Sequence, residues 1–182
     1  MNPSQALLDL ATGEFRTMKR LADDALSQVD DDGFFALLDD DANSIAHIVK
    51  HMAGNMRSRW TDFLTTDGEK PDRARDTEFE LEADDTRASL MIGWGRGWDL
   101  VFATIDGLAP DDLLREVTIR SEPYTVLRTI GRQLTHYSCH VGQIITLARH
   151  YRHGAWRSLS IPRGQSETFN TQMSNRFTSR TP

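Results

Sequence analysis

The sequence is poor in cysteine: Cys139 is the one cysteine among 182 residues. A single cysteine cannot form an intrachain disulfide, which favours a reducing compartment and predicts a cytoplasmic protein. Long hydrophobic runs are also missing. No apolar stretch approaches the roughly 18 residues that a membrane-spanning helix needs. The start, MNPSQALLDL, has no basic patch before an apolar stretch, so no secretory signal is expected. Internal repeats and low-complexity tracts are lacking. A chain that is 38% hydrophobic and 26% charged reads as soluble and globular rather than disordered. Its length suits a single domain over residues 1–182, with an irregular basic tail from about 155.

The net charge is -6, but it is unevenly spread. Residues 120–182 contain nine arginines and two glutamates, Glu122 and Glu167, with no lysine or aspartate, a net +7. The remainder therefore carries -13. An acidic total argues against nucleic-acid binding, which depends on neutralising phosphates. The basic third calls for a separate explanation.

Apolar spacing predicts four long helices. The first spans Gln5 to about Asp30, with Leu8, Ala11, Phe15 and Met18 on one face. It is followed by the Asp30-Asp31-Asp32-Gly33 break and a short apolar patch at Phe34 to Leu38. The second opens at Asn43-Ser44, good N-capping residues, and carries Ile45, Ile48, Val49, Met52, Met56, Trp60 and Phe63. Residues 65 to about 83 are polar and form one long crossover loop. Loops of that length in a compact domain are often functional. The third helix covers about Asp85 to Ile105, where Gly93, Gly95 and Gly97 allow close backbone packing beside Trp94 and Trp98. Val117–Ile119 and Tyr124–Val126 make a small hairpin or a tight turn. The fourth helix runs from about Val126 to Arg152, and the tail beyond it is expected to be irregular, with the last ten residues frayed. The expected fold is all-α, a four-helix bundle.

Four of the six histidines form two i, i+4 pairs, His47 with His51 and His136 with His140. Residues four apart share a helix face, so two imidazoles can reach one ion. At 100° per residue, His140 lies about 80° and His136 about 120° from the centre of the fourth helix's apolar stripe, with Gln143 adjacent to both. His51 lies about 130° and Asn55 about 90° from the stripe of the second helix, whereas His47 points about 170° away. His51 is therefore the inward member of its pair, and His47 is exposed or supports a ligand from behind. Tyr137 follows His136 where zinc proteases place their glutamate, so that chemistry lacks its base. Cys139 is a bystander.

The stretches KHMAGNMRSRW (Lys50 to Trp60), RQLTHYSCHVGQI (Arg132 to Ile144) and WRSLSIPRGQSETFN (Trp156 to Asn170) resemble the signature segments of the DinB-like superfamily, in its DUF1572 branch. The resemblance implies a four-helix bundle whose second and third helices run parallel through a long crossover. It also implies a divalent metal held by one histidine of the second helix and the HxxxH pair of the fourth, here His51, His136 and His140. His47, Asn55, Arg132 and Gln143 are then candidates to support the ligands or line the substrate rim. Val141 stands where many superfamily members have a basic residue before Gly-Gln, which bears on the substrate. Relatives in the superfamily include thiol transferases and isomerases that use bacterial thiols.

Three neutral imidazoles would leave a divalent ion its full charge and an open position. Zinc or nickel suits such a site; manganese or iron remains open. Bound water or thiol loses its proton more readily there, giving hydrolysis or thiol transfer. A small anionic thiol would give the basic third a role, with Arg132, Arg128 and Arg163 as carboxylate readers. The other reading docks those arginines on the acidic helices. A stress-response or binding module with a structural metal is the alternative function, and histidines of an ordinary surface are a third reading. A homodimer is expected from the aromatics Trp60, Trp94 and Trp156. No carboxylate is placed beside the three histidines by the sequence, Glu122 and Asp62 included.

Overall fold

The structure, a computed structural model, describes residues 2–152 and 154–178. Its elements follow the chain as α1 (Pro3–Leu26), α2 (Asp31–Phe35), α3 (Ile45–Trp60), a 3-10 turn (Asp76–Phe79), α4 (Arg87–Asp106), a second 3-10 turn (Pro110–Leu114), β1 (Glu116–Ile119), β2 (Glu122–Thr125), α5 (Val126–Tyr151) and α6 (Ser166–Thr178). The molecule is mostly helical, as expected. Among the described residues no helix is long and apolar enough to cross a membrane.

Helix starts are set by local chemistry. Asn2, Ser44, Thr86 and Thr125 each accept a backbone N–H of the following turn, satisfying donors that a helix leaves unpaired at its N-terminus. At α3 the capping is reciprocal. Ser44 Oγ accepts the His47 amide at 3.3 Å, and His47 Nδ1 accepts the Ser44 amide at 3.2 Å.

The helices share one core. The Phe15 ring of α1 lies 5.9 Å from Trp60, 6.4 Å from Trp98 and 5.8 Å from Tyr137, so one side chain touches rings from the three other long helices. Tilted and edge-on ring pairs of this kind add to the area they bury. Trp60 and Trp94 are fully buried, and Trp156 packs against the core from the tail. All three rings pack within the chain.

Contacts give the helix directions. Along α3 and into α4, Lys50 meets Asp85, Ala53 faces Gly93, Met56 faces Gly97, and the Trp60 carbonyl accepts from Thr104. Partners rise together in number, so α3 and α4 run parallel. Asp23 with Trp94 and Arg16 with Asp106 give α1 and α4 the opposite sense. Gly97 permits a close approach of the two helices, since a Cβ there would lie 3.1 Å from Met56 Cβ. Gly95 faces open space, so the glycines of α4 are not all packing devices.

The segment between α3 and α4 is ordered by polar contacts. Gly68 N donates to Thr118 O at 2.8 Å, and Asp67 accepts the amides of Arg120 and Ser121, each at 2.8 Å. Those two residues are the β1–β2 turn, with φ of 55° and 62°. A two-residue hairpin turn with both φ positive usually holds Gly or Asn, and Asp67 stabilises it here without either. The small sheet thus pins the crossover at the end of α3.

The structure departs from the sequence reading in two places. Asp31–Phe35 forms a one-turn helix, capped by Asp30, where a break was expected. The tail is irregular only to residue 165, after which α6 runs to Thr178 with no buried residue. Polar serines, threonines and asparagines hid its Phe169, Met173 and Phe177 stripe at i, i+4, i+8. The last four residues of the segment expected to fray lie outside the described residues.

Candidate metal centre

Three imidazoles from two helices converge. His51 comes from the middle of α3, and His136 and His140 come from adjacent turns of α5. The two helices run in opposite senses, with His51 facing the HxxxH pair and Asn55 facing Gln133 and Tyr137. The Nε2 atoms of His136 and His140 lie 3.0 Å apart, and those of His51 and His136 3.4 Å apart. One ligand atom from each of the three residues falls within 4.8 Å of the others. Tetrahedral zinc with Zn–N near 2.0–2.1 Å sets its nitrogens about 3.3 Å apart, so the spacing fits a divalent ion.

Outer groups fix the rings. His51 Nδ1 lies 2.8 Å from Glu78 Oε2, so this nitrogen carries the proton and donates it to the carboxylate, leaving the Nε2 lone pair inward. His140 Nδ1 lies 2.8 Å from Gln143 Oε1, an acceptor, which sets the same tautomer. His51 also stacks on Phe79, with centroids 4.6 Å apart and planes at 27°. Two inward lone pairs are thereby fixed before His136 is considered. The single proton His136 can offer at Nε2 cannot satisfy both, whereas a cation satisfies all three.

Burial, and then the neighbouring His140, His51, Arg59 and Arg132 charges, push the His136 imidazole down to about 3. Burial also lowers His140, with the Gln143 bond opposing it. Both rings are therefore neutral at pH 7, the form that ligates metal. Glu78 behaves oppositely. Burial would raise its carboxyl, but the Arg73 hydrogen bonds and His51 hold it below its ordinary value. Arg73 grips Glu78 through two bonds, Nε to Oε1 at 2.7 Å and Nη2 to Oε2 at 2.8 Å. Such a bidentate fork fixes orientation as well as charge.

Beneath the cluster a buried polar chain ties α3 to α5. Trp60 Nε1 donates to Tyr137 Oη at 2.9 Å, Tyr137 donates to Asn55 Oδ1 at 3.2 Å, and Gln133 Nε2 donates to the same oxygen at 3.2 Å. Burial raises the Tyr137 phenol, so it stays protonated and keeps donating.

The cluster opens into a cavity of about 570 Å³. Besides the three histidines, its walls include Asn55, Gln133, Phe79 and the guanidiniums of Arg59, Arg73, Arg75, Arg120 and Arg132. Among the described residues that line it, none is a carboxylate.

The candidates named from the sequence fare differently. His51, His136 and His140 come together, Gln143 supports His140, and Asn55 and Arg132 line the cavity. His47 does not join them: its Nδ1 is engaged by Ser44, and it lines no part of the cavity. It faces the cap because a position four residues before His51, at the helix start, is nearer the N-terminal amides than the site. Arg128 lies over Tyr124, 4.3 Å from its centroid, and Arg163 is exposed, so neither reaches the cavity wall. Arg120 pairs with Glu69 of the acidic part, as the docking reading expects, whereas Arg128 sits 3.8 Å from Glu122 within the basic third itself. Cys139 is exposed and outside the lining.

Glu78, Phe79, Arg73, Arg59 and Gly54 went unrecognised in the sequence. One signal pointed to Gly54: glycine inside a helix costs about 1 kcal/mol against alanine and needs a reason. The reason is Glu78, whose Oε1 would lie 2.3 Å from a Cβ at position 54.

The fold and the cluster define a helical protein with a three-histidine site spaced for a divalent metal ion. The family described as "Protein of unknown function (DUF1572)" matches residues 2–165, and the chain belongs to that family, within the DinB-like superfamily. No curated protein matches the chain.

Proposed function

We propose that the protein is a metal-dependent enzyme that activates a small thiol for attack on an electrophile. Its four long helices we read as a DinB-like bundle, a reading supported by the parallel sense of α3 and α4 across their crossover. His51, His136 and His140 would hold the ion, with zinc or nickel favoured by an all-imidazole set. A bound divalent ion supplies a Lewis acid that lowers the pKa of a thiol or water in its open position.

The observation that carries the reading is the open, arginine-walled cavity onto which the histidines face. A structural metal site is normally closed by a fourth protein ligand, whereas a catalytic one keeps an open position. The same cavity favours thiol over water. Hydrolysis commonly uses a carboxylate as base, and no lining residue supplies one, since Glu78 is held by Arg73 and His51. A thiol, with an ordinary pKa near 8.5, needs only a modest lowering to ionise at pH 7. In the reaction the sulfur bonds to the electrophilic carbon, the leaving group departs with its bonding pair, and the thiol proton passes to solvent. Glu78, Gln143 and Phe79 hold the rings in place meanwhile.

The test incubates metal-loaded protein with 3-mercaptopropionate and an aryl chloride, beside a panel of amides and esters. Conjugation faster than in the His51→Ala/His136→Ala/His140→Ala variant supports transfer. Turnover confined to the amide or ester panel supports hydrolysis instead. Equal rates for wild type and variant on every substrate favour a non-catalytic module with a structural metal.

A further inference from the structure

The cavity wall carries more cations than the neighbouring carboxylates match. Four of its guanidiniums, Arg59, Arg73, Arg120 and Arg132, stand against Glu69 and Glu78. Glu69 is shared three ways. Its Oε2 lies 3.0 Å from Arg59 Nη1, 3.2 Å from Arg73 Nη1 and 3.3 Å from Arg120 Nε. Glu78 is taken by Arg73 and His51. Arg132 meets a phenol, with Nη1 3.4 Å from Tyr124 Oη, and that phenol donates to Glu122, whose charge is matched by Arg128 at 3.8 Å. Arg75 is matched by Asp76 at 3.5 Å. The excess is two positive charges before any metal is added. Arg59 adds a second, independent sign. Its side chain is 4% exposed, it lines the cavity, and its buried Nε finds no acceptor among the described residues. A buried donor left unpaired is costly, so such groups normally meet a partner.

We propose that this cavity is an anion subsite that takes two negative charges from one small ligand, borne either on two carboxylates or on one phosphate group. The proposal deepens the function given above by naming the charge of its substrate, yet binding at the subsite needs neither metal nor thiol. The wall has two parts. The side chains of Arg59 and Arg73 are buried and held by Glu69 and Glu78, forming a fixed, charge-balanced floor of guanidinium donors. Arg120 and Arg132 are exposed at the rim, where their forks can turn onto carboxylate or phosphate oxygens. Both rim arginines belong to the basic third, which thereby gains a specific task.

The experiment titrates metal-free, full-length protein with succinate, inorganic phosphate and acetate by calorimetry at constant ionic strength. Succinate or phosphate is expected to bind at least about tenfold more tightly than acetate, and whichever does so identifies the source of the charge. The Arg120→Gln/Arg132→Gln variant should weaken that dianion by about tenfold or more, while Arg128→Gln, outside the cavity, leaves it unchanged. Rim positions are exposed, and circular dichroism checks that the double variant is folded. Acetate binding as tightly as both dianions overturns the proposal, and so does a folded double variant that binds them as wild type does. Dianion binding without thiol conjugation removes the thiol reading alone. Conjugation without dianion preference removes the subsite alone.

Discussion

His51 Nδ1 lies 2.8 Å from Glu78 Oε2, although 27 residues of helix and crossover separate the two. Neither group is exposed, and Arg73 completes the carboxylate from its other side. A ligating histidine that donates its second N–H to a carboxylate is oriented and made more basic, and such partners tune metal affinity by about 10–100-fold.

The first prediction concerns that bond. Glu78→Gln keeps the shape of the side chain and removes its charge. Metal affinity should fall by about 10–100-fold while the helices persist. Competition titration against a chelator, with circular dichroism as the fold control, measures both. Unchanged affinity means that Glu78 merely neutralises Arg73.

A second prediction tests the close approach that admits Glu78. In Gly54→Ala the new methyl would lie 2.3 Å from Oε1, so the carboxylate must move although Arg73 holds it. Alanine improves the intrinsic helicity of α3 by about 1 kcal/mol, so any loss of metal affinity is not a loss of helix. The variant should bind metal as weakly as Glu78→Gln. Wild-type affinity in Gly54→Ala removes the steric argument.

The contrast between Gly54 and Glu78 shows what the sequence made legible. Helix spacing located the apolar stripes of all four long helices and turned His51 rather than His47 toward α5, because period 3.6 fixes a side chain's direction on its own helix. The family resemblance then joined α3 to α5. Glu78, Arg73 and Phe79 lie in the crossover, where no periodicity assigns a direction. Their positions depend on long-range contacts such as Gly68 with Thr118 and Asp67 with the hairpin turn. The HxxxH spacing at His47 misleads for a local reason, since its ring is used by the Ser44 cap.

Tyr137 yields a third prediction. Its hydroxyl accepts from Trp60 Nε1 and donates to Asn55, all within the core. Tyr137→Phe leaves a buried indole N–H without its acceptor, which costs about 1–3 kcal/mol. Urea denaturation should show a lower midpoint at an unchanged slope. An unchanged midpoint means that the polar chain contributes nothing to stability.

A fourth prediction is a pH dependence. Burial opposes ionisation of Asp67, yet backbone amides of Glu69, Ser121 and Arg120 hold its carboxyl at about 2. In the unfolded chain it titrates near 3.9. As pH falls, the unfolded state takes up this proton first, so the Asp67 contribution is complete above about pH 4 and fades toward pH 2. Asp67→Asn should be less stable at neutral pH and should flatten that part of the stability curve. Parallel wild-type and variant curves between pH 4 and 2 would remove Asp67 as the tie between crossover and hairpin.

The most direct test of the account is the metal content of the protein purified without an affinity tag, measured by mass spectrometry for wild type and for His136→Ala. The prediction is about one divalent ion per wild-type chain and its loss from the variant, with chelator lowering the melting temperature of the wild type alone. A wild-type protein that carries no ion, takes up none when zinc or nickel is supplied, and melts at the same temperature with or without chelator would contradict it.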